Sequence, residues 1–311
     1  VSILQSVVQF FLGKQSAKKV ALFRILFGIF LLLTELSLAP HLREWYSDQG
    51  FYTGDYIQSI NDPLYFSILY YVHATWVTYV AYAVMVISTI FFILGLWSKY
   101  ANLIMYVLFL SFYLRNLEVQ NGGFEVLRVM MFFSLFLATD KAYTLPWYRR
   151  NVAPEERWVE GWPVRLLQLQ LAVIYFFTAI LKLQTPEWYD GSFVYNVVSN
   201  ANFFQYDGTW LIRYPIVINV LTYFSLFSEL TFAFLIWFRR TRLPMLMAIV
   251  LLHLGLILTM NTLWFNYTMI ACLALFLTEG EVEIIEVFAT RCFQRVSGRK
   301  PGIGRLNAAR F

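Results

Sequence analysis

The chain has 311 residues, of which 59% are hydrophobic, 19% aromatic and only 14% charged, with a formal net charge of +5. A soluble domain carries about 25% charged residues, so the composition excludes a soluble globular protein. The basic residues fall in alternate loops and not in one patch, which excludes a nucleic-acid partner. Two cysteines without a CxxC spacing exclude a disulfide framework.

Taken in chain order, Ile3, Leu4, Val7, Val8, Phe11 and Leu12 fall at helical spacing ahead of Lys14, Lys18 and Lys19. This predicts an interfacial helix within residues 1–19, lying on a membrane surface. The first residues lack the apolar core and cleavage site of a signal peptide. Eight apolar segments follow, at 20–39, 68–96, 99–117, 123–139, 164–184, 212–238, 243–262 and 263–279. Each is near the ~20 residues a bilayer requires. The second is long enough to be tilted or to begin in the interface. The last two are joined so tightly at Asn261–Trp264 that seven spans is the alternative. Residues 20–279 thus read as an all-α, polytopic membrane bundle. Val282, Ile284, Ile285, Phe288, Cys292 and Val296 then make an apolar stripe. It predicts an amphipathic helix at the start of the cytoplasmic segment 280–311, which ends in a disordered tail.

Basic residues at one set of ends are Lys14, Lys18, Lys19, Lys99, Lys141, Arg149, Arg150, Arg157, Arg239, Arg240 and Arg242, with the tail from Arg291. The opposite loops carry Arg43 and Arg213. The asymmetry predicts both termini in the cytoplasm. Two long outer loops, 40–67 and 185–211, each contain Trp-Tyr followed by Asp and Gly. They read as interfacial aromatic loops or as a weak internal repeat.

Ionisable groups inside the spans mark candidate sites, since an ionised side chain in hydrocarbon costs at least ~3 kcal/mol on insertion scales. Arg24 and Arg165, near inner ends, are expected to snorkel. Arg115–Glu118 and Glu125–Arg128 are spaced as i,i+3 pairs that neutralise themselves on one helix face. Glu229 and His253 lie about halfway along their spans. Thr222, Ser225 and Ser228 make a polar neighbourhood for Glu229. Lys182 continues a stripe with Gln168, Tyr175 and Thr178 on one helical face. Two readings stand for it: a stem that snorkels to the nearby polar run Gln184–Asp190, or a desolvated amine, which favours the neutral, basic form. Three ionisable types on three spans fit an enclosed active site or a proton relay, and equally a structural polar core. The three histidines have no metal-ligand spacing, and no phosphate loop or nucleophile elbow is present.

Several of these stretches together resemble the HTTM (horizontally transferred transmembrane domain) family, that of the vitamin K-dependent γ-glutamyl carboxylase. ALFRILFGIFLLLTEL carries the Arg24…Gly28 pattern of its opening helix. YFFTAILKLQTPEWYDG resembles its Tyr-Phe…Lys-Leu…Trp…Gly segment through Tyr175, Lys182 and Trp188. HLGLILTMNTLWFNYTMI resembles its His…Phe-x-Tyr segment through His253, Phe265 and Tyr267. Where the carboxylase has a Trp-Asn-Asn-His type motif, this chain has VQNGGFEVLR. Asn121 matches but the histidine is missing, as in the bacterial branch. The carboxylase's large lumenal domain has no counterpart after the last span, so the likeness is to its membrane domain.

The resemblance implies a multi-pass protein of the bacterial inner membrane. It implies an enzyme in which Lys182 is the general base, with His253 beside it, acting on a quinol or other lipid-soluble substrate. A reduced, vitamin K-like quinone is the implied cofactor, and no metal is expected. Tyr175, Thr178, Trp188, Glu229, Phe265 and Tyr267 would line the cavity, and Arg115, Asn121, Glu125 and Arg128 would close its outer side. The implied partners are the lipid bilayer and a secreted peptide or membrane protein. A non-catalytic accessory or maturation factor, and a small-solute or proton transporter, are the alternative functions.

Overall fold

The computed structural model describes residues 2–63, 65–145, 157–200 and 207–297, and helices dominate them. The N-terminal helix α1 (Ile3–Leu12) opens on a capping box, in which Ser2 and Gln5 satisfy each other's backbone N–H groups. Ile3, Leu4, Val7, Val8, Phe11 and Leu12 are exposed, whereas Phe10 packs against Trp237. A two-residue strand β1 (Gln15–Ser16) pairs antiparallel with β2 (Trp158–Val159). Helix α2 (Ala17–Leu38) starts directly after it. Lys18 and Lys19 therefore belong to the first long helix and not to an interfacial segment ending at 19. Lys19 is buried and donates to Gln15 Oε1 at 2.5 Å.

Two short helices, α3 (Leu42–Tyr46) and α4 (Gly54–Ile60), occupy the next loop. Then come α5 (Thr75–Leu94), α6 (Ser98–Arg115) and α7 (Gly122–Ser134). The segment expected to start at 68 divides into a 3-10 turn at Ile68–Tyr70 and α5. Helix α8 (Gly161–Lys182) is followed by the short α9 (Pro186–Tyr189) and α10 (Phe193–Val198). The chain continues with α11 (Pro215–Leu235), α12 (Arg242–Thr259) and α13 (Phe265–Cys272), which tightens into a 3-10 turn at Leu273–Phe276. Last is α14 (Glu279–Ser297). The tail 298–311, the side chain of Val296, and Arg149 and Arg150 lie outside the described residues.

Five helices among the described residues are long and apolar enough to cross a membrane: α2, α5, α8, α11 and α12. The expected count of about eight is not met on this criterion. Helix α6 is long enough but carries Lys99, Asn102, Ser111 and Arg115. Helix α7 has 13 residues, about 20 Å at the α-helical rise. Asn121 starts it by accepting the Gly123 N–H at 2.8 Å. Ser134 ends it, its hydroxyl exchanging hydrogen bonds with the Asn102 amide of α6.

Helix α2 runs through the middle of the assembly, packed against α5 and α13, with Phe23, Phe27 and Leu31 fully buried. Arg24 does not snorkel. It is wholly buried and donates to the carbonyls of Thr139, Ala142 (3.2 Å) and Tyr143 (2.7 Å). Acceptors inside the protein replace the water that snorkelling would reach.

Contacts between distant segments sort to the two ends of the bundle. At one end Lys18 meets Glu283 and Glu286 at 3.2 Å, Arg242 meets Glu281 at 2.7 Å, and Arg165 donates to the Phe10 carbonyl at 3.0 Å. At the other, Asn61 donates to the Leu114 carbonyl and Asn116 to that of Trp45. Helix α14 is pinned at the first end, leaving Ile284, Ile285, Val287 and Phe288 exposed.

Candidate functional site

Helices α8 and α11 pack along much of their length, which brings the last residue of α8 against the middle of α11. Lys182 Nζ lies 2.7 Å from Glu229 Oε2 and donates to Ser225 Oγ at 3.1 Å. Ser225 and Glu229 are four apart on α11 and so share a face. The Lys182 side chain is only 18% exposed and that of Glu229 8%. The amine thus folds back onto the carboxylate and does not reach outward. The Lys182–Glu229 contact is an ion pair without well-aligned hydrogen-bond geometry. Trp188, on α9, covers the ammonium with its ring centroid 4.3 Å from Nζ, a cation–π distance. Trp188 is itself stacked on Phe193 at 3.9 Å and packed against Ala179 and Leu226.

Two helical turns inward on α8, Tyr175 meets His253 of α12, hydroxyl to Nε2, at 2.7 Å. The other ring nitrogen, Nδ1, is 2.7 Å from Asn266 Oδ1 on α13, and Asn266 Nδ2 donates to Thr262 Oγ1 at 2.5 Å. Tyr175, His253 and Asn266 are all buried. Phe232 and Phe265 wall the pair, with centroids 4.7 Å from Tyr175 and 6.2 Å from His253. Asn266 escaped the sequence reading because the chain reverses between α12 and α13, so its 13-residue separation from His253 has no helical meaning. Its one signal was an amide within an apolar run.

Other stripe residues go elsewhere. Gln168 is engaged nearer the start of α8, donating to the Leu275 carbonyl at 2.7 Å and accepting from Arg165. Thr178 is half-buried and has no polar partner among the described residues. Tyr267 stacks on Phe30 of α2 with centroids 5.3 Å apart, away from His253.

Asn121, Glu125 and Arg128 line a cavity of about 320 Å³ together with Tyr65 and Tyr113. Neither Lys182 nor His253 borders it. Glu125 and Arg128 pair at 2.7 Å across one turn of α7, as their spacing predicts. The Tyr113 hydroxyl donates to Glu125, and its ring lies 5.2 Å from the Arg128 guanidinium carbon. A smaller cavity of about 20 Å³ borders Asn121, Thr262 and Phe265, which is room for one water.

Arg115 does not pair with Glu118 and does not line either cavity. Helix α6 ends at Arg115 and Asn116 is extended, so Glu118 is not one helical turn further on. Arg115 instead reaches Asp48 at 3.1 Å and the Tyr52 carbonyl at 2.7 Å. Asp48 also meets His73 at 2.7 Å and accepts the Gly54 N–H at 2.7 Å. Partial burial pushes the Asp48 carboxyl up, but His73, the Gly54 N–H and Arg115 outweigh it and hold the group below its ordinary range. The hydrogen bond to Asp48, and then its charge, raise His73 above 6.5.

Among the described residues no three His, Cys, Asp or Glu side chains are grouped to hold a metal ion. A family model described as the HTTM domain matches residues 14–280. No curated protein and no solved structure matches the chain.

Proposed function

The chain belongs to the HTTM domain family, that of vitamin K-dependent carboxylase-like membrane proteins, and from that premise we propose that it is an enzyme acting on a lipid-soluble substrate through an intramembrane Lys182. The observation that carries this reading is the ion pair of Lys182 with Glu229 beneath Trp188. Taking two charges out of water costs several kcal/mol per ion, and aliphatic side chains would pack there more cheaply. Once the two groups align for a hydrogen bond, a proton moving from Nζ to Oε2, 2.7 Å away, would leave a neutral amine with a free lone pair. That amine is the general base, Glu229 holds the displaced proton, and Ser225 fixes the Nζ position. Trp188 and Phe193 exclude water from it.

The polar groups around Lys182 suit the hydroxyls of a reduced quinone. The amine, the carboxylate and the Ser225 hydroxyl would bind its hydroxyl groups, and its ring would have to displace Trp188, whose two faces are taken by Nζ and by Phe193. When bound, such a group supplies an acidic hydroxyl and a redox-active ring. His253 and Tyr175 stand behind the site, two turns deeper.

The preferred topology is eight passes in a bacterial inner membrane with both termini cytoplasmic. Helices α6, α7 and α13 would each cross with help from their neighbours. The opposite-end contacts of Lys18, Arg165 and Arg242 against those of Asn61 and Asn116 support that alternation. A second reading, an accessory factor for a secreted peptide, is favoured by the cavity at Glu125 and Arg128, which lies apart from Lys182.

The test is native mass spectrometry of gently purified wild-type protein, Lys182→Ala and Arg128→Ala, with identification of co-purifying molecules. A stoichiometric quinone in the wild type that is lost from folded Lys182→Ala is the expected result. Bulk phospholipid alone in every sample would overturn the enzyme reading. A peptide lost only from Arg128→Ala would favour the second.

A further inference from the structure

We propose that Asn266 is a positioning residue that holds His253 as its Nδ1–H tautomer, making Tyr175 and His253 a buried phenol–imidazole pair able to exchange one proton. Asn266 Oδ1 only accepts, so the 2.7 Å contact with His253 Nδ1 requires a proton on Nδ1. A neutral imidazole has one such proton. Nε2 therefore carries a lone pair, and the Tyr175 hydroxyl 2.7 Å away is the donor. Asn266 is held in turn by its 2.5 Å bond to Thr262 Oγ1, in the turn between α12 and α13.

The competing arrangement turns the Asn266 amide over, presenting Nδ2 to Nδ1 and placing the proton on Nε2. Thr262 tolerates either orientation, because a hydroxyl both donates and accepts. Tyr175 does not. Its oxygen would then accept from Nε2–H, and its own proton would be buried with no other acceptor among the described residues. Buried unsatisfied donors are avoided, so the burial of Tyr175 selects the Nδ1–H form.

In this form the proton step is self-contained. The Tyr175 O–H bond breaks and an Nε2–H bond forms, giving phenolate and imidazolium, and the reverse step restores the pair. No other reagent enters. The Asn266–Thr262 link orients and does not conduct, since an amide carbonyl that accepts from His253 has no labile proton of its own to hand to Thr262. This distinguishes it from a proton wire to the 20 Å³ cavity at Thr262. Tyr175 lies on the same face of α8 as Lys182, so the pair would serve as a second acid–base centre of the proposed site. That use rests on the proposed function, whereas the tautomer itself does not.

The chain has three histidines, so replacing His41 and His73 by Gln leaves His253 as the one imidazole. Nitrogen-15 NMR of the histidine-labelled protein in detergent then reads which ring nitrogen is protonated. The expected result is a protonated Nδ1 and a bare Nε2. The pattern is kept in Asn266→Asp, whose carboxylate also accepts, and lost in Asn266→Leu. Tyr175→Phe is expected to move the Nε2 resonance and leave Nδ1 protonated. A protonated Nε2 with bare Nδ1 in the parent protein would overturn the proposal, whether or not the leucine variant folds. An Nε2 resonance indifferent to Tyr175→Phe would equally overturn the pairing. A quinone absent from the wild type, with the tautomer as expected, would instead count against the proposed function alone.

Discussion

Arg115 and Asp48 meet at 3.1 Å although 67 residues separate them, while Glu118, three residues along, takes no part. The guanidinium side chain has no exposure and two of its nitrogens have no hydrogen-bond partner. Asp48 is therefore the counter-charge that makes its burial tolerable. Asp48→Asn leaves a buried cation uncompensated, and the expected loss is about 3 kcal/mol, at the low end for a broken buried pair. Glu118→Gln, on an exposed residue, should stay within about 0.5 kcal/mol of wild type. Chemical or thermal unfolding in detergent compares the two.

The same carboxylate makes the segment between α2 and α5 sensitive to pH. His73 is raised above 6.5 by Asp48, so the stability it contributes is fully present below pH 6.5 and is lost as pH rises through its folded value. Asp48 is held low, so its contribution is present above its ordinary range and is lost as pH falls through the lowered one. The contact is strongest between those limits. An NMR titration should find His73 with a midpoint above 6.5, and Asp48→Asn should lower that midpoint. An unchanged midpoint in that variant would remove Asp48 as the cause.

How much of this was legible in the sequence depends on the range of each signal. The i,i+3 spacing of Glu125 and Arg128 predicted their pair because both lie inside one helix, α7. The identical spacing of Arg115 and Glu118 failed because the helix stops between them, and no local rule encodes a partner in another loop. Apolar runs located every long apolar helix, but five helices among the described residues are both long and apolar enough to cross a membrane. A capping asparagine at 121 and a bonded serine at 134 cut α7 short. The face shared by Tyr175 and Lys182 was visible as a stripe. Their different partners, His253 and Glu229, were visible only as ionisable residues on other spans, because helix order around the bundle is a packing outcome.

Gly95 tests the role assigned to Arg24. It sits at φ 72°, and a Cβ there would come within 2.6 Å of Arg24 Nη1 and 2.7 Å of the Thr144 side chain. Gly95→Ala adds left-handed strain of about 1 kcal/mol to a displaced guanidinium. The combined loss should exceed that of Arg24→Lys, which keeps a donor but gives up the fork reaching three carbonyls. Unfolding midpoints of the two variants decide the order. If Gly95→Ala is silent, Arg24 is not held as tightly as its hydrogen bonds imply.

Lys182 and Glu229 offer a separation of stability from chemistry. Either single truncation, Lys182→Met or Glu229→Leu, strands a largely buried group, and each should destabilise by about 1–3 kcal/mol. The double variant should lose less than the sum, with a coupling of about 1–3 kcal/mol. That result establishes the pair without saying what it does. Lys182→Arg goes further, since a guanidinium can keep the charge opposite Glu229 but does not give up its proton near neutral pH. A structural pair predicts that Lys182→Arg retains both stability and ligand binding. A base predicts retained stability with loss of turnover of the co-purifying substrate by at least about 100-fold, the lower range for a positioned general base. Unfolding and turnover measured on the same preparation separate the two, and full turnover in a stable Lys182→Arg protein would end the case for a lysine base.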